Sequence, residues 1–232
     1  MDVRPNQTIR LPTATYRNLS GSADFELHPR VVARFFGDYQ RRNVERYLYL
    51  GPTEEMKAGE TAYSTRRRIV RSTLSPELEF SISPRTSFNL RYSYGRYGRD
   101  EDRKSLVTSE FGDHPWRETL REIRLTGGHA WMAGGREHPL QGGYEFRNEA
   151  LSSESLGVSE AERDINVVWA QQELNLGSRL TASVGVRYDS YAEFGSEWNP
   201  KAEAIFRIAP EHRLRGSYGH GFRPPSFGEL YL

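Results

Sequence analysis

The densest group of chemically active side chains is an arginine cluster in the first third of the chain. Its members are Arg66, Arg67, Arg68 and Arg71. Side chains alternate between the two faces of an extended segment, so Arg67 and Arg71 would share one face and Arg66 and Arg68 the other. Each guanidinium can hold a carboxylate or a phosphate through two parallel hydrogen bonds. The cluster is therefore a candidate site for attracting an anionic ligand.

Side chains suited to metal binding or catalysis are sparse and poorly spaced. Histidines occur at positions 28, 114, 129, 138, 212 and 220, without the His-x-His or His-x-x-x-His spacing of metal sites. The chain has no cysteine, which excludes disulfides and thiolate sites. Ser226 lacks the Gly-x-Ser-x-Gly context of a hydrolase nucleophile. We therefore expect no catalytic residue, no metal site and no cofactor, in a protein that is not an enzyme.

Composition excludes several classes of protein. Of the 232 residues, 36% are hydrophobic, 12% aromatic and 27% charged, which is too aromatic for a disordered chain and too polar for a helical membrane protein. The net charge of +1 disfavours nucleic-acid binding through bulk charge. Lysine occurs only at positions 57, 104 and 201, so arginine carries nearly all the positive charge. Arginine suits a polar barrel lumen or a rim that faces phosphorylated lipid. Codon bias is the alternative explanation for the excess of arginine over lysine.

Apolar and polar residues alternate along several segments, as in strands with one apolar face. In the clearest case, residues 180–188, the even positions are apolar or aromatic and the odd positions mostly polar. No apolar run approaches the roughly 20 residues that a membrane helix needs. The pattern predicts about ten strands, at residues 16–27, 30–46, 63–82, 86–97, 116–133, 138–151, 164–176, 179–191, 199–209 and 212–222.

The connections between these strands alternate in length. Compact turns are predicted near residues 28–29, 83–85, 134–136, 177–178 and 209–211, and longer polar connections at 51–62, 97–115, 150–163 and 191–198. The acidic residues 100–102 and their basic neighbours predict a solvated, mixed-charge external loop, with a cation-bridged contact to lipopolysaccharide as the alternative. This alternation of short and long connections indicates an all-β, antiparallel, up-and-down transmembrane β-barrel.

The C-terminal sequence carries more specific motifs. They are Asn199-Pro200-Lys201, Tyr218-Gly219, Gly221-Phe222-Arg223, Pro225-Ser226 and Glu229-Leu230-Tyr231. Upstream are two strand motifs, Trp169-Ala-Gln-Gln-Glu173 and Gly185-Val-Arg-Tyr-Asp189. In this order they resemble the barrel of TonB-dependent outer-membrane receptors, most specifically over residues 138–232. The glycines and Pro224-Pro225 indicate that strand pairing stops there, and we expect a loop over 222–229 with no helix after the glycines.

The resemblance implies a partial barrel of about ten strands, taken from one of about 22 strands in the bacterial outer membrane. It implies a receptor that takes up a scarce ligand such as a ferric siderophore, heme or cobalamin. The implied partners are TonB, reached through a plug domain, outer-membrane lipid and lipopolysaccharide, and a small extracellular ligand such as a metal chelate. Residues 1–232 show neither a signal peptide nor a plug domain, so we expect one partial barrel domain, a fragment that is not active alone.

Two other functions remain open at this point. A passive outer-membrane porin would share the strand pattern but would lack the Gly221-Phe222-Arg223 and Glu229-Leu230-Tyr231 motifs. A soluble β-sandwich binding module would fit the missing signal peptide, but it would not fit the alternating lengths of the connections.

Overall fold

The fold is described from a computed structural model that defines residues 13–49, 62–105, 111–113 and 115–231. The strands are β1 (Thr13–His28), β2 (Val31–Tyr49), β3 (Ala62–Ser83), β4 (Thr86–Ser105), β5 (Phe111–Asp113), β6 (Trp116–Ala133), β7 (Arg136–Ser153), β8 (Val158–Leu176), β9 (Leu180–Tyr191), β10 (Gly195–Ala209) and β11 (His212–Gly219). A 3-10 turn (Glu154–Leu156) and a short helix, α1 (Phe227–Tyr231), complete the described elements.

All of these strands belong to one antiparallel sheet that is not closed on itself. Its order is β1-β2-β3-β4-β6-β7-β8-β9-β10-β11, and the short β5 pairs with β4. Each long strand therefore pairs with the long strand before it in sequence, as in an up-and-down meander. The predicted partial barrel of about ten strands is confirmed. A sandwich would need two packed sheets, whereas the described strands form one.

Tight turns join the strands at one end of the sheet, which we name the turn end. They lie at residues 29–30, 84–85, 134–135, 177–179 and 210–211. In the third turn Gly134 and Gly135 have φ angles of 56° and 71°. A two-residue hairpin with this twist needs positive φ at both positions, which glycine adopts without steric cost. The predicted compact turns are confirmed.

The opposite end, which we name the loop end, differs from the prediction. β4 continues to Ser105, β7 to Ser153, and β10 begins at Gly195, so these segments are strands where loops were expected. The predicted loops at 97–115, 150–163 and 191–198 are therefore wrong over most of their length. The extensions carry polar residues on both faces, so they lack the alternation that marks a lipid-facing strand. Residues 51–61, in the first predicted loop, lie outside the described residues.

Alternation gives the sheet two contrasting faces. The outer face carries large apolar side chains that remain exposed, such as Leu125 at 45%, Val168 at 54% and Ile208 at 59%. Cross-strand register places further exposed apolar residues on this face: Phe25, Leu74, Phe80, Leu90, Ile123, Leu140, Val184, Phe206 and Leu214. Such a broad exposed apolar surface is unusual for a protein in water and suits contact with lipid.

The inner face is polar and more closely packed. Its buried charged residues include Glu122, Glu145, Arg163 and Asp189. A small apolar cluster of Ile165, Val167 and Tyr191, with Trp169 and Phe194 packed against it, lies on the same face. Charged side chains are buried only when they are paired, so the partners of these residues define how the face is organised.

Among the described residues, no helix is long and apolar enough to cross a membrane.

Candidate functional site: the inner face and the C-terminal tail

Arginine and glutamate side chains from β6 and β7 interlock on the inner face. Arg124 lies opposite Glu145 in the strand register, and Glu122 lies opposite Arg147. The Nη2 atom of Arg124 lies 3.0 Å from both Glu122 Oε1 and Glu145 Oε2, and Arg147 Nη2 lies 2.5 Å from Glu145 Oε1. Each buried carboxylate therefore has two arginine partners. These ion pairs keep the inner face charged and stabilise the register of β6 and β7.

A second network lies nearer the turn end, on β2, β3 and β4. The Glu77 carboxylate, 12% exposed, accepts a hydrogen bond from Asn89 Nδ2 at 2.6 Å and pairs with Arg91 Nη2 at 2.5 Å. Arg34 Nη1 reaches the same carboxylate at 3.3 Å and Glu79 at 2.5 Å. Residues from three strands thus contact the Glu77 carboxylate, so the polar character of the inner face continues across the sheet.

The chain after β11, residues 220–231, folds back over the inner face, and we name it the tail. The guanidinium of Arg163 is its main attachment point. Arg163 is 7% exposed, donates a 2.8 Å hydrogen bond to the carbonyl of Pro225, and lies 4.8 Å from the centre of the Phe227 ring. It also pairs with Glu149, which lies opposite it on β7. One buried arginine therefore joins β7, β8 and the tail.

Aromatic contact adds a second attachment. The rings of Tyr191 and Phe222 meet edge to face with their centroids 5.9 Å apart. The backbone N–H of His220 donates to the carbonyl of Pro200 at 3.0 Å. Tyr191 belongs to the apolar cluster of the inner face, so the tail covers that cluster. Burial of this apolar surface favours the folded-back position of the tail.

A capping box begins helix α1 within the tail. Glu229 accepts hydrogen bonds from the Ser226 backbone N–H at 2.7 Å and hydroxyl at 2.9 Å, and the Glu229 N–H returns a 3.3 Å bond to Ser226 Oγ. The Ser226 donors, with the nearby Arg223 guanidinium, hold the pKa of the Glu229 carboxyl below its usual value. The sequence prediction of no helix here was wrong. The spacing Ser226-x-x-Glu229 is the signal that would have found it.

A cavity of 570 Å³ lies between the tail and strands β7 to β10. Its wall includes Arg187, which pairs with Asp189 at 2.8 Å, and Asn199, whose amide nitrogen donates to Asp189 at 2.9 Å. The Asn199 Oδ1 atom is buried and has no hydrogen-bond partner among the described residues. Lys201 adds a cation that has no ion pair in the described part of the chain. The cavity can therefore offer both a hydrogen-bond acceptor and a positive charge.

The predicted arginine cluster lies on β3, near the loop end, and divides between the faces as expected. On the inner face, Arg67 Nη2 pairs with Glu101 at 2.6 Å, and Arg71 lies 5.8 Å from the Tyr97 ring. On the outer face, Arg66 and Arg68 pair with Glu45 at 3.7 Å and Asp100 at 2.7 Å. The acidic stretch 100–102 therefore belongs to β4 and faces these arginines, so its prediction as a solvated loop was wrong.

The predicted motif residues fall into two structural groups. Tyr218 and Gly219 end β11, which confirms that the strand stops at the glycines. Asn199 and Pro200 lie inside β10, which begins four residues earlier at Gly195, so their prediction as a strand start was wrong. The remaining motif residues are in the tail: Gly221, Phe222, Arg223, Pro225, Ser226, Glu229, Leu230 and Tyr231.

The described residues contain no group of three or more His, Cys, Asp or Glu side chains placed to hold a metal ion. The chemistry that the inner face offers is therefore ionic and hydrogen-bonding recognition. Arg163 was not predicted as a site residue, because its partners Glu149 and Pro225 lie 14 and 62 residues away in sequence. The buried Glu145 was not predicted either, because its cross-strand partner Arg124 lies 21 residues away.

Comparison with known proteins agrees with this architecture. Residues 5–232 match the family model described as TonB dependent receptor-like, beta-barrel. A segment of 98 residues, 40% of the chain, is 26% identical to the iron-regulated outer membrane virulence protein of Vibrio cholerae serotype O1, covering 15% of that protein.

Solved structures share the fold at low sequence identity. The ferric enterobactin receptor of Pseudomonas aeruginosa, crystallised as a mutant, is 16% identical with a TM-score of 0.73, over 93% of this chain and 34% of that one. The alcaligin outer membrane receptor of Bordetella pertussis is 14% identical with a TM-score of 0.63, over 89% of this chain and 35% of that one. The chain thus spans about a third of the length of these structures. It belongs to the TonB-dependent receptor β-barrel family of the bacterial outer membrane.

Proposed function

We propose that the chain forms part of the barrel wall of a receptor that takes up a ferric siderophore. The observation that carries the proposal is the family match over residues 5–232. The similar proteins include a ferric enterobactin receptor, a siderophore receptor and an iron-regulated outer membrane protein. Heme and cobalamin are the other cargoes to be tested against this one.

In this proposal the inner face lines the lumen and the loop end faces outward. Long connections on the external side and tight turns on the periplasmic side are the usual arrangement of outer-membrane barrels. Arg67 and Arg71 lie on the inner face near the loop end, where a positive charge would attract an anionic iron chelate. Arg66 and Arg68 share the segment but lie on the outer face, away from the lumen.

We further propose that residues 1–232 act as one partial barrel domain of a larger receptor, energised by TonB through a plug domain. The polar inner face supports this, because its ionic networks and unpartnered groups suit contact with another polar surface. This domain assignment predicts that the chain functions within the full-length receptor and does not transport alone.

Uptake measurements on the full-length receptor test the proposal. Cells that lack other siderophore receptors would express it and be given iron-55 enterobactin, with heme and cobalamin as parallel probes. We expect iron uptake that requires TonB. The R67Q/R71Q variant should bind the ferric siderophore more weakly, whereas the matched outer-face variant R66Q/R68Q should bind normally. TonB-dependent uptake of heme or cobalamin without uptake of iron-55 enterobactin would contradict the proposed cargo. Equal affinities of the two variants would contradict the role of the inner-face arginines.

A further inference from the structure

A further cavity, of 720 Å³, lies on the inner face between the tail and the loop-end parts of β3, β4 and β6. We name it the loop-end cavity, and we name the 570 Å³ cavity between the tail and strands β7 to β10 the tail cavity. Arg163 and Glu149 line both cavities. Of the tail, residues 226–227 line the loop-end cavity and residues 220–224 line the tail cavity. The two cavities are therefore separated where Pro225 contacts Arg163.

The loop-end cavity is positively charged. Two of its arginines lie against aromatic rings: Arg99 is 5.0 Å from the centre of the Trp116 ring, and Arg71 is 5.8 Å from that of Tyr97. Neither arginine has an ion pair in the described part of the chain, and Nε of Arg99 is buried without a hydrogen-bond partner there. A guanidinium that lies against a ring keeps the N–H groups along its edge available for an anion. The loop-end cavity therefore suits an anionic group.

The two carboxylates that line the loop-end cavity are already engaged. Glu118 accepts a 2.6 Å hydrogen bond from the indole N–H of Trp116. Glu149 pairs with Arg163 and also with Arg147, whose Nη1 atom lies 3.7 Å from it. The arginines beside the rings therefore keep a positive charge that neither carboxylate neutralises.

The contact that holds the tail against Arg163 is open to competition from an anion. The Pro225 carbonyl, which accepts the 2.8 Å hydrogen bond, is a neutral group. An anionic oxygen would add a Coulombic attraction to the guanidinium that a carbonyl lacks. The Nε atom of Arg163 is buried and has no hydrogen-bond partner among the described residues, so this guanidinium still has a donor to offer. An anion in the loop-end cavity therefore competes with the tail for Arg163.

We propose that an anionic group of the cargo binds Arg71 and Arg99 in the loop-end cavity and then displaces the Pro225 carbonyl from the guanidinium that holds it. The tail leaves the inner face, and the two cavities join. The joined cavity brings the cargo to Lys201, a cation that has no ion pair in the described part of the chain. The tail is thus a partition that an anionic cargo opens. This inference rests on the proposed receptor function but not on a siderophore cargo, because the propionates of heme are anionic too.

The labelling rate of a single cysteine beneath the tail tests this proposal. Ile165 is 4% exposed and lines the tail cavity, so an Ile165→Cys variant reports whether the tail is in place. The chain has no native cysteine, so this thiol can report alone in the full-length receptor once any cysteines elsewhere are replaced. Val44→Cys is the matched control, because Val44 is 6% exposed on the inner face of β2 and lines neither cavity. The probes are ferric enterobactin and heme, which are anionic, and cyanocobalamin, which has no net charge.

We expect at least one anionic probe to raise the labelling rate of Ile165→Cys by roughly tenfold to a hundredfold, as for the loss of a hydrogen bond from a charged group. Cyanocobalamin should leave the rate unchanged. A rise with heme but not with ferric enterobactin would support the partition and contradict the proposed siderophore cargo. An unchanged rate with both anionic probes would overturn the proposal, as would an equal rise with cyanocobalamin or at Val44→Cys.

Two further variants in the Ile165→Cys background test the arginines. R163M should be labelled rapidly without any probe, and the probes should add little. R99Q should raise the probe concentration that gives half of the effect by roughly tenfold or more. R215Q is the matched control, because Arg215 is an inner-face arginine outside both cavities, and it should respond as the unsubstituted receptor does. Slow labelling of R163M without a probe, or equal half-effect concentrations in R99Q and R215Q, would overturn the proposal.

Discussion

Replacement of Arg163 by methionine should release the tail from the inner face. Methionine has a similar length but lacks the guanidinium that binds the Pro225 carbonyl at 2.8 Å and lies 4.8 Å from the Phe227 ring. A hydrogen bond from a charged group contributes about 1.5–3 kcal/mol, and a cation–π contact at least about 0.5 kcal/mol. Glu149 keeps a partner in Arg147 at 3.7 Å, so its carboxylate is not left alone. The local free energy that holds the tail should therefore fall by about 2–4 kcal/mol.

Hydrogen–deuterium exchange on the full-length receptor measures this change. The reporters are the amides of Glu229 and Leu230, which donate to the Ser226 carbonyl, and the His220 amide, which donates to Pro200. A loss of about 2–4 kcal/mol should lower their protection by about thirtyfold to a thousandfold. The matched control is R215M, because Arg215 lies on the same face and pairs with Glu203 on β10. Unchanged protection in R163M, or an equal loss in R215M, would refute the role of Arg163.

Three further predictions concern the wall and the tail. Glu145→Gln should lower the free energy of unfolding, measured by denaturant titration, by about 2 kcal/mol, because Arg124 and Arg147 lose their shared carboxylate. An unchanged free energy of unfolding would show that the ion pairs between β6 and β7 do not stabilise the sheet. Gly143→Ala should lower the free energy of unfolding by about 1–3 kcal/mol, because the added Cβ would lie 2.7 Å from a backbone oxygen. Gly21→Ala is the control, since open space surrounds that position and the free energy of unfolding should fall less. An equal loss of stability in the two variants would contradict the close packing at Gly143. The hydrogen bonds from Ser226 lower the pKa of the Glu229 carboxyl. The capping box should therefore be fully formed above pH 4.5, the usual carboxyl pKa, and be lost as the pH falls through the lower pKa of the folded state. A Ser226 amide chemical shift that titrates at pH 4.5 or above would contradict this prediction.

The fold could be predicted where the membrane imposes a pattern. In β9 the alternation of Leu180, Val184 and Val186 with polar residues is strict, and the predicted bounds agree with the structure within one residue at either end. The turns at the turn end also carry the Gly and Pro residues that tight connections need. Lipid on one side and a polar lumen on the other give each strand this period of two, so a single sequence is enough to find it.

The strand extensions beyond the apolar band could not be found in the same way. Residues 99–104 of β4 are charged on both faces, and their pairing with β3 depends on arginines more than 30 residues away. Charged residues in one sequence predict a solvated loop as readily as a strand held by cross-strand ion pairs. Only the three-dimensional register separates the two.

The candidate site was partly predictable. The tail motif identified the family, and the division of the arginine cluster between two faces followed from alternation alone. The attachment of the tail to Arg163 was not predictable, because that contact spans 62 residues and ends on a backbone carbonyl, which has no sequence signature. Helix α1 was predictable from Ser226 and Glu229 and was missed because the neighbouring glycines and prolines favoured a loop.

The central claim is that the outer face contacts lipid while the inner face is polar and shielded from it. The chain has no native cysteine, so single spin-labelled cysteines can be placed one at a time along residues 181–188 of β9 in the full-length receptor, after replacing any cysteines elsewhere. In lipid bilayers, labels at even positions should be accessible to oxygen, and labels at odd positions should not. A period of two with this phase is the predicted result. Uniform accessibility, or greater oxygen access at Ser183 and Arg187 than at Val184 and Val186, would contradict the account.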